Sequence, residues 1–237
     1  SGWWNAVAAA DLNGDGRDDL VLGNLGLNSW IRASAEEPAR LYVHDFFGNG
    51  SVEQVLTSYR GGVAYPLAGR DDLAKLMPPL RSRYVTYAAF GASRVEEIFP
   101  AAELAAATVH EATTFASSVA LSLSDGTFDL RPLPAEAQLA PVYASLAGDF
   151  DGDGRTDLLL AGNFHGVKPM LGRYDASYGT LLRGTGDGAF ASVDMAESGL
   201  ALTGEVRDLK IVRGPRGSLI AVARNDDPLV LLRSTRP

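Results

Sequence analysis

The stretch that decides the fold is Asp11-Leu12-Asn13-Gly14-Asp15-Gly16-Arg17-Asp18-Asp19, which returns as Asp149-Phe150-Asp151-Gly152-Asp153-Gly154-Arg155-Thr156-Asp157. In both copies a small-residue or apolar run precedes the acidic loop and an apolar run follows it. Each second run ends in a Gly-Asn pair, at residues 23–24 and 162–163. A recurring unit of strand, acidic loop and strand is typical of repeat architectures built from short antiparallel strands.

The two loops carry oxygen-bearing residues at alternate positions, with glycine at the sixth position. Calcium takes about 6 to 8 oxygen ligands in loose geometry, whereas magnesium prefers fewer protein ligands and a stricter octahedron. A tightly wound loop turns alternate side chains inward, and glycine permits the positive φ that this winding needs. The seventh residue supplies its backbone carbonyl, so we expect its arginine side chain to face water. The predicted calcium ligands are Asp11, Asn13, Asp15, Arg17 and Asp19 in the first loop and Asp149, Asp151, Asp153, Arg155 and Asp157 in the second.

Neither loop is an EF-hand, because position 12 is Leu22 in the first and Leu160 in the second, where an EF-hand needs a glutamate. A third, incomplete copy surrounds residues 45–53. It offers Asp45, Asn49, Ser51 and Glu53 at positions 1, 5, 7 and 9, with Phe47 at position 3. We therefore predict calcium at the two complete loops and rank the third as a weaker candidate.

Short apolar runs separated by Gly, Asn and Asp continue along the chain. Hairpins are expected over 118–133, around Asp125-Gly126, and over 179–193, followed by a three-strand meander at 206–213, 218–223 and 229–233. The segment at about 70–110 differs, because Ala, Leu and Glu recur there at helical spacing. We expect Asp71 to cap a helix that Pro78 and Pro79 end. The sequence thus predicts an all-β protein with a helical insertion.

Composition excludes several classes of function. The net charge of −8, from 21 basic and 29 acidic residues, disfavours nucleic-acid binding, which needs a basic face. The chain has no cysteine, which excludes disulfides and thiolate chemistry. No run of apolar residues is long enough for a membrane span. The first residues, Ser1-Gly2-Trp3-Trp4, do not have the pattern of a signal peptide.

The acidic loops and their flanking strands resemble FG-GAP/VCBS repeats, the blades of integrin alpha-chain propellers and of many exported bacterial proteins. The run 181–190, which ends Gly188-Ala189-Phe190, is similar to the hairpin of that repeat, and 204–208 and 223–226 resemble a closing blade. The resemblance implies β-propeller blades of antiparallel four-stranded sheets, held by calcium. Residues 1–237 would form one propeller or the C-terminal part of a larger ring, with the insertion at 70–110 inside it.

The resemblance also bears on function. It implies an extracytoplasmic binding or scaffold module, secreted, periplasmic or at the cell surface, and bacterial. The expected partner is a protein or a cell-surface glycan, or the remaining blades of its own propeller. No catalytic constellation stands out, so we do not expect an enzyme. Two alternatives stay open: a polysaccharide-active enzyme on a propeller, and a calcium-dependent lectin.

Overall fold

The computed structural model describes residues 1–168, 172–215 and 217–233. The strands, in chain order, are β1 Ala6–Ala10, β2 Asp19–Gly23, β3 Ala39–His44, β4 Glu53–Arg60, β5 Val63–Pro66, β6 Thr108–Ala112, β7 Ser118–Ser122, β8 Phe128–Pro132, β9 Val142–Gly148, β10 Asp157–Gly162, β11 Thr180–Gly184, β12 Phe190–Ser192, β13 Glu205–Gly214, β14 Gly217–Asn225 and β15 Val230–Leu232. The helices are α1 Arg70–Leu76, α2 Pro79–Arg83, α3 Tyr87–Gly91, α4 Val95–Ile98, α5 Ala101–Ala106 and α6 Met195–Ser198, and Ala135–Gln138 form a 3-10 turn.

The chain folds as two compact units. Unit 1 comprises Ser1–Gly2 and Ile31–Thr114, and unit 2 comprises Trp3–Trp30 and Phe115–Pro237. Unit 1 contains one antiparallel sheet of order β5-β4-β3-β6. Unit 2 contains sheet I (β1-β2-β7-β8), sheet II (β9-β10-β11-β12) and sheet III (β13-β14-β15), and all strand pairs in them are antiparallel.

Sheet II lies between sheets I and III because its central strand is apolar on both faces. All six residues of β10 are buried. Leu158 and Leu160 belong to the core shared with sheet I, whereas Leu159 and Ala161 belong to the core shared with sheet III. Successive side chains of a strand point to opposite faces, so one apolar strand serves two cores. This layering of short antiparallel sheets confirms the all-β, blade-like fold.

Two glycines that end strands of sheet II lie close to the backbone that leads into the neighbouring strand of the same sheet. A Cβ on Gly162 would lie 1.8 Å from the carbonyl oxygen of Pro141, and one on Gly184 would lie 2.1 Å from that of Thr156. No side chain fits at such distances. The glycines are therefore required where the sheet II backbone meets its neighbouring segments.

In unit 1, five short helices join β5 to β6 and pack on the sheet. Their buried residues Leu73, Leu80 and Phe99 share one core with Tyr42 and Val55 of the strands. The helical segment predicted at 70–110 is confirmed, although it ends earlier, at Ala106. The next residues form β6, because Thr108–Ala112 pair with β3.

Other local expectations have mixed outcomes. The hairpins β7–β8 and β11–β12 and the meander β13–β14–β15 are confirmed. The described residues of sheet III form the three strands that the meander prediction requires, and the other three sheets have four strands each. Asp71 does not cap α1, because the N-cap is Gly69 and Asp71 lies in the first turn. Among the described residues no helix is long and apolar enough to cross a membrane.

Candidate metal centre

The second acidic loop connects β9 to β10, and its first aspartate organises it. Asp149 accepts a hydrogen bond at Oδ1 from the amide of Gly152 (2.7 Å) and at Oδ2 from that of Gly154 (3.0 Å). Both glycines have φ of 83°, which winds the chain around this carboxylate. As a result, one oxygen each of Asp149, Asp151 and Asp153 lies within 4.8 Å of the others. Three of the predicted ligands are thus brought together.

The first loop, between β1 and β2, is wound in the same way. Asp11 accepts hydrogen bonds from the amides of Gly14 (2.7 Å) and Gly16 (2.8 Å). Asn13 takes the place that Asp151 has in the second loop, and its side-chain amide donates to Oδ2 of Asp15 at 3.1 Å. The two loops therefore share one backbone arrangement, but the third position carries an amide in the first loop and a carboxylate in the second.

The ninth residue of each complete loop is buried and holds the loop to its sheet. Asp157 is 2% exposed; its Oδ2 accepts from the amide of Phe150 (3.0 Å) and its Oδ1 from that of Gly184 on β11 (2.9 Å). Asp19 is fully buried and accepts from Leu12 (3.0 Å) and from Ser122 on β7 (2.7 Å). These two predicted ligands each join the second residue of the loop to the neighbouring strand.

The arginines at the seventh position were predicted to face water. Each is exposed, and each also pairs with a carboxylate of its own loop. Arg155 pairs with Asp153, and Arg17 pairs with Asp15 while donating to the carbonyl of Ser122 at 3.0 Å. Both side chains are about half exposed, and each is long enough to fold back on the carboxylate two residues earlier. Each arginine thereby offsets one negative charge of its loop, at a half-exposed position.

Two further charged residues approach the second loop from elsewhere in unit 2. Arg183 on β11 donates through Nε to Oδ2 of Asp151 (2.6 Å) and through a terminal nitrogen to Glu197 on α6 (3.1 Å). Sequence reasoning missed both residues, since Arg183 lies 32 positions from Asp151. The sequence predicts the hairpin at 179–193 that carries Arg183, but it does not show that this hairpin pairs with the strand that follows the loop.

The third loop, residues 45–53, has the same kind of backbone hydrogen bonds to its first and ninth residues as the complete loops, but it has no carboxylate at positions 3 and 5. Asp45 accepts from the amides of Asn49 (3.1 Å) and Gly50 (2.8 Å), and Glu53 accepts from that of Phe46 (3.1 Å). The remaining candidates, Asn49 and Ser51, are joined by a hydrogen bond from the Ser51 amide to the Asn49 side chain (2.8 Å). Phe47, at position 3, packs against the core of unit 1 instead of supplying an oxygen.

Backbone amides keep the first aspartate of each loop ionised. Hydrogen bonds from Gly152 and Gly154 hold the pKa of Asp149 below its usual value. The amide of Gly16 contributes most to the lowered pKa of Asp11, and that of Gly50 does the same for Asp45. These carboxylates therefore carry their charge at neutral pH.

Together, the blade-like sheets and the acidic loops define a repeat protein whose strand-connecting loops gather oxygen donors. Residues 3–29 match the family model of the FG-GAP repeat. This stretch, which includes β1, the first loop and β2, is therefore an FG-GAP repeat, a unit typical of β-propeller-like recognition modules. No curated protein matches the chain.

Proposed function

We propose that this chain is a calcium-stabilised recognition or scaffold module that works outside the cytoplasm, and that it is not an enzyme. The observation that carries the proposal is the convergence of Asp149, Asp151 and Asp153 within 4.8 Å. All the side-chain donors are oxygens, which a hard cation such as calcium prefers. The first loop offers the same arrangement with Asn13 at its third position.

The described residues fit calcium in its structural role. Asp149, Asp151 and Asp153 would hold an ion in the second loop, and Asp11, Asn13 and Asp15 would hold one in the first. The ion would offset the repulsion among clustered carboxylates that the neighbouring arginines only partly neutralise. Because Asp19 and Asp157 tie the loops to β7 and β11, an ordered loop also fixes these inner strands of sheets I and II.

Calcium that binds only the folded state stabilises it by mass action. The gain is about 2.7 kcal/mol when calcium exceeds its Kd a hundredfold. In a domain of this size that corresponds to a rise in Tm of roughly 5 to 10 °C. Calcium-binding extracellular modules typically have a Kd of about 0.1 to 1 mM, and the proposed location outside the cytoplasm leads us to expect a Kd in this range.

The hydrogen bonds and ion pairs of the loop carboxylates also favour a binding role over a role in acid–base catalysis. The first and ninth aspartates accept backbone amides, and the fifth pairs with an arginine. The lowered pKa of the first aspartates, Asp11 and Asp149, makes these two groups poorly suited to donate a proton at neutral pH. The proposed partner is a protein or a cell-surface glycan, or further blades of the same propeller.

A thermal melt in calcium, in magnesium and in EDTA tests the proposal. We expect calcium to raise Tm of the wild type by several degrees, with a much smaller effect of magnesium. Asp153→Asn should lose part of the rise, whereas the matched control Asp129→Asn should keep it, because Asp129 lies on β8 and pairs with Arg131. A wild-type Tm that is equal in calcium and EDTA would contradict the proposal.

A further inference from the structure

A cavity of about 280 Å³, partly open to solvent, lies within unit 2, between sheets II and III and beside the second acidic loop. Its apolar wall is formed by Leu159, Leu181, Leu200, Ile220 and Leu232. At about 30 Å³ per molecule of liquid water, this volume corresponds to roughly nine waters. A space of that size lined by leucine and isoleucine suits the apolar body of a small organic molecule.

The lining of this cavity also includes charged residues. Asp151, Arg183, Glu197 and Arg233 all contribute to it. Arg183 is held between the carboxylates of Asp151 and Glu197, so its charge is already matched by two anions. Asp157 also lines the cavity, but both of its oxygens accept backbone amides.

A calcium ion on the second loop would change the charge balance around Arg183. Asp151 belongs to the proposed ligand set of the second loop, so an ion there takes up the negative charge that Asp151 otherwise presents to Arg183. The lining would then carry two cations, Arg183 and Arg233, and two carboxylates, Glu197 and the buried Asp157, with Asp151 occupied by the ion. A guanidinium that loses one carboxylate partner can accept another, which a ligand can supply in a bidentate pair.

We propose that this cavity binds a small monocarboxylate with an apolar body, and that calcium on the second loop strengthens the binding by releasing Arg183 from Asp151. The ligand's apolar part packs against the leucines and Ile220, and its carboxylate meets Arg183. The cavity site rests on its own geometry. Its calcium dependence rests on the proposed function, in which the second loop holds the ion.

The probes are phenylacetate and its neutral isostere phenylacetamide, which share shape and differ in charge. The readout is the δ1 methyl resonance of Ile220 in the full chain, with the exposed Ile211 as the internal control. A ligand of about ten non-hydrogen atoms should bind with Kd on the order of a millimolar. We expect phenylacetate to bind about tenfold more tightly in calcium than in EDTA, because one charge-assisted hydrogen bond is gained.

Two controls separate the cavity from the metal. Phenylacetamide should bind with the same affinity in calcium and EDTA. Arg183→Gln should remove the preference for phenylacetate while the calcium-dependent rise in Tm persists. A persistent rise in Tm with no saturable shift of Ile220 would overturn the cavity site and leave the proposed function standing. Equal phenylacetate affinity in calcium and EDTA would overturn the calcium dependence, and an unchanged Tm would count against the proposed function itself.

Discussion

The buried Asp157 offers a test that does not depend on metal. Its two oxygens accept the amides of Phe150 and Gly184, and its side chain is almost fully shielded from water. In Asp157→Asn one oxygen becomes an NH2 group, so one of these amides faces a donor. The loss of a charge-assisted hydrogen bond costs about 1.5 to 3 kcal/mol, and the unpaired buried amide adds to it. We expect unfolding to become easier by about 3 kcal/mol.

Urea unfolding in EDTA, followed by tryptophan fluorescence, measures this change. All three tryptophans, Trp3, Trp4 and Trp30, belong to unit 2, which contains both complete loops. With a slope of about 2 kcal/mol per molar urea, a loss of 3 kcal/mol moves the midpoint down by about 1.5 M.

The matched control is Asp153→Asn, in the same loop but exposed. In EDTA it should change stability by less than about 0.5 kcal/mol, as is usual at the surface. In calcium it should lose most of the stabilisation that the second loop provides. If Asp157→Asn unfolds at the wild-type midpoint in EDTA, the hydrogen bonds assigned to Asp157 do not stabilise the fold as argued.

Three further outcomes are expected. Gly162→Ala should destabilise unit 2 by about 3 kcal/mol, because the new Cβ would overlap the carbonyl of Pro141. The control Gly148→Ala should be tolerated, since its Cβ meets only the ring of Phe150 at 3.5 Å. Equal urea midpoints of the two variants would contradict this. In EDTA, stability should be steady from about pH 7 to 5 and fall below about pH 4. The first aspartates of the two complete loops have lowered pKa values, so they stabilise the fold above the unfolded pKa of about 3.9 and lose that contribution as pH falls through their folded pKa. Urea unfolding at a series of pH values, followed by fluorescence, checks this, and a midpoint unchanged at pH 3 would refute it. Asn13→Asp should raise the calcium affinity of the first loop several-fold and lower Tm in EDTA, because it adds a carboxylate to the cluster; calorimetric titration would show no tightening if the loop does not hold the ion.

Much of the fold could be predicted from local signals. The acidic loops, the Gly-Asn stops and the Asp125-Gly126 turn are encoded within a few residues, so the strands beside them were found. The two-faced burial of β10 also follows from its continuous apolar sequence. Strand β6 was not predictable in this way, because it pairs with β3 across the helical segment and this pairing joins parts that are distant in the chain. The N-cap of α1 at Gly69 was missed because an aspartate in the first turn resembles a cap.

The candidate site was predictable to a similar degree. The repeat spacing places Asp149, Asp151 and Asp153 on one loop, and the structure brings their oxygens together. The sequence did not reveal that Asp157 turns inward to bind the Gly184 amide, since that contact depends on the pairing of β10 with β11. For the same reason Arg183 could not be assigned to Asp151 from the sequence alone.

Direct calcium binding tests the central claim most simply. Equilibrium dialysis against calcium should show one ion for each complete loop, with one site lost in Asp15→Asn, the other lost in Asp153→Asn, and neither left in the double variant. Asp129→Asn should bind as the wild type does. Calcium that remains bound to the double variant, or a wild type that binds none, would contradict the assignment of these loops as the metal sites that stabilise the fold.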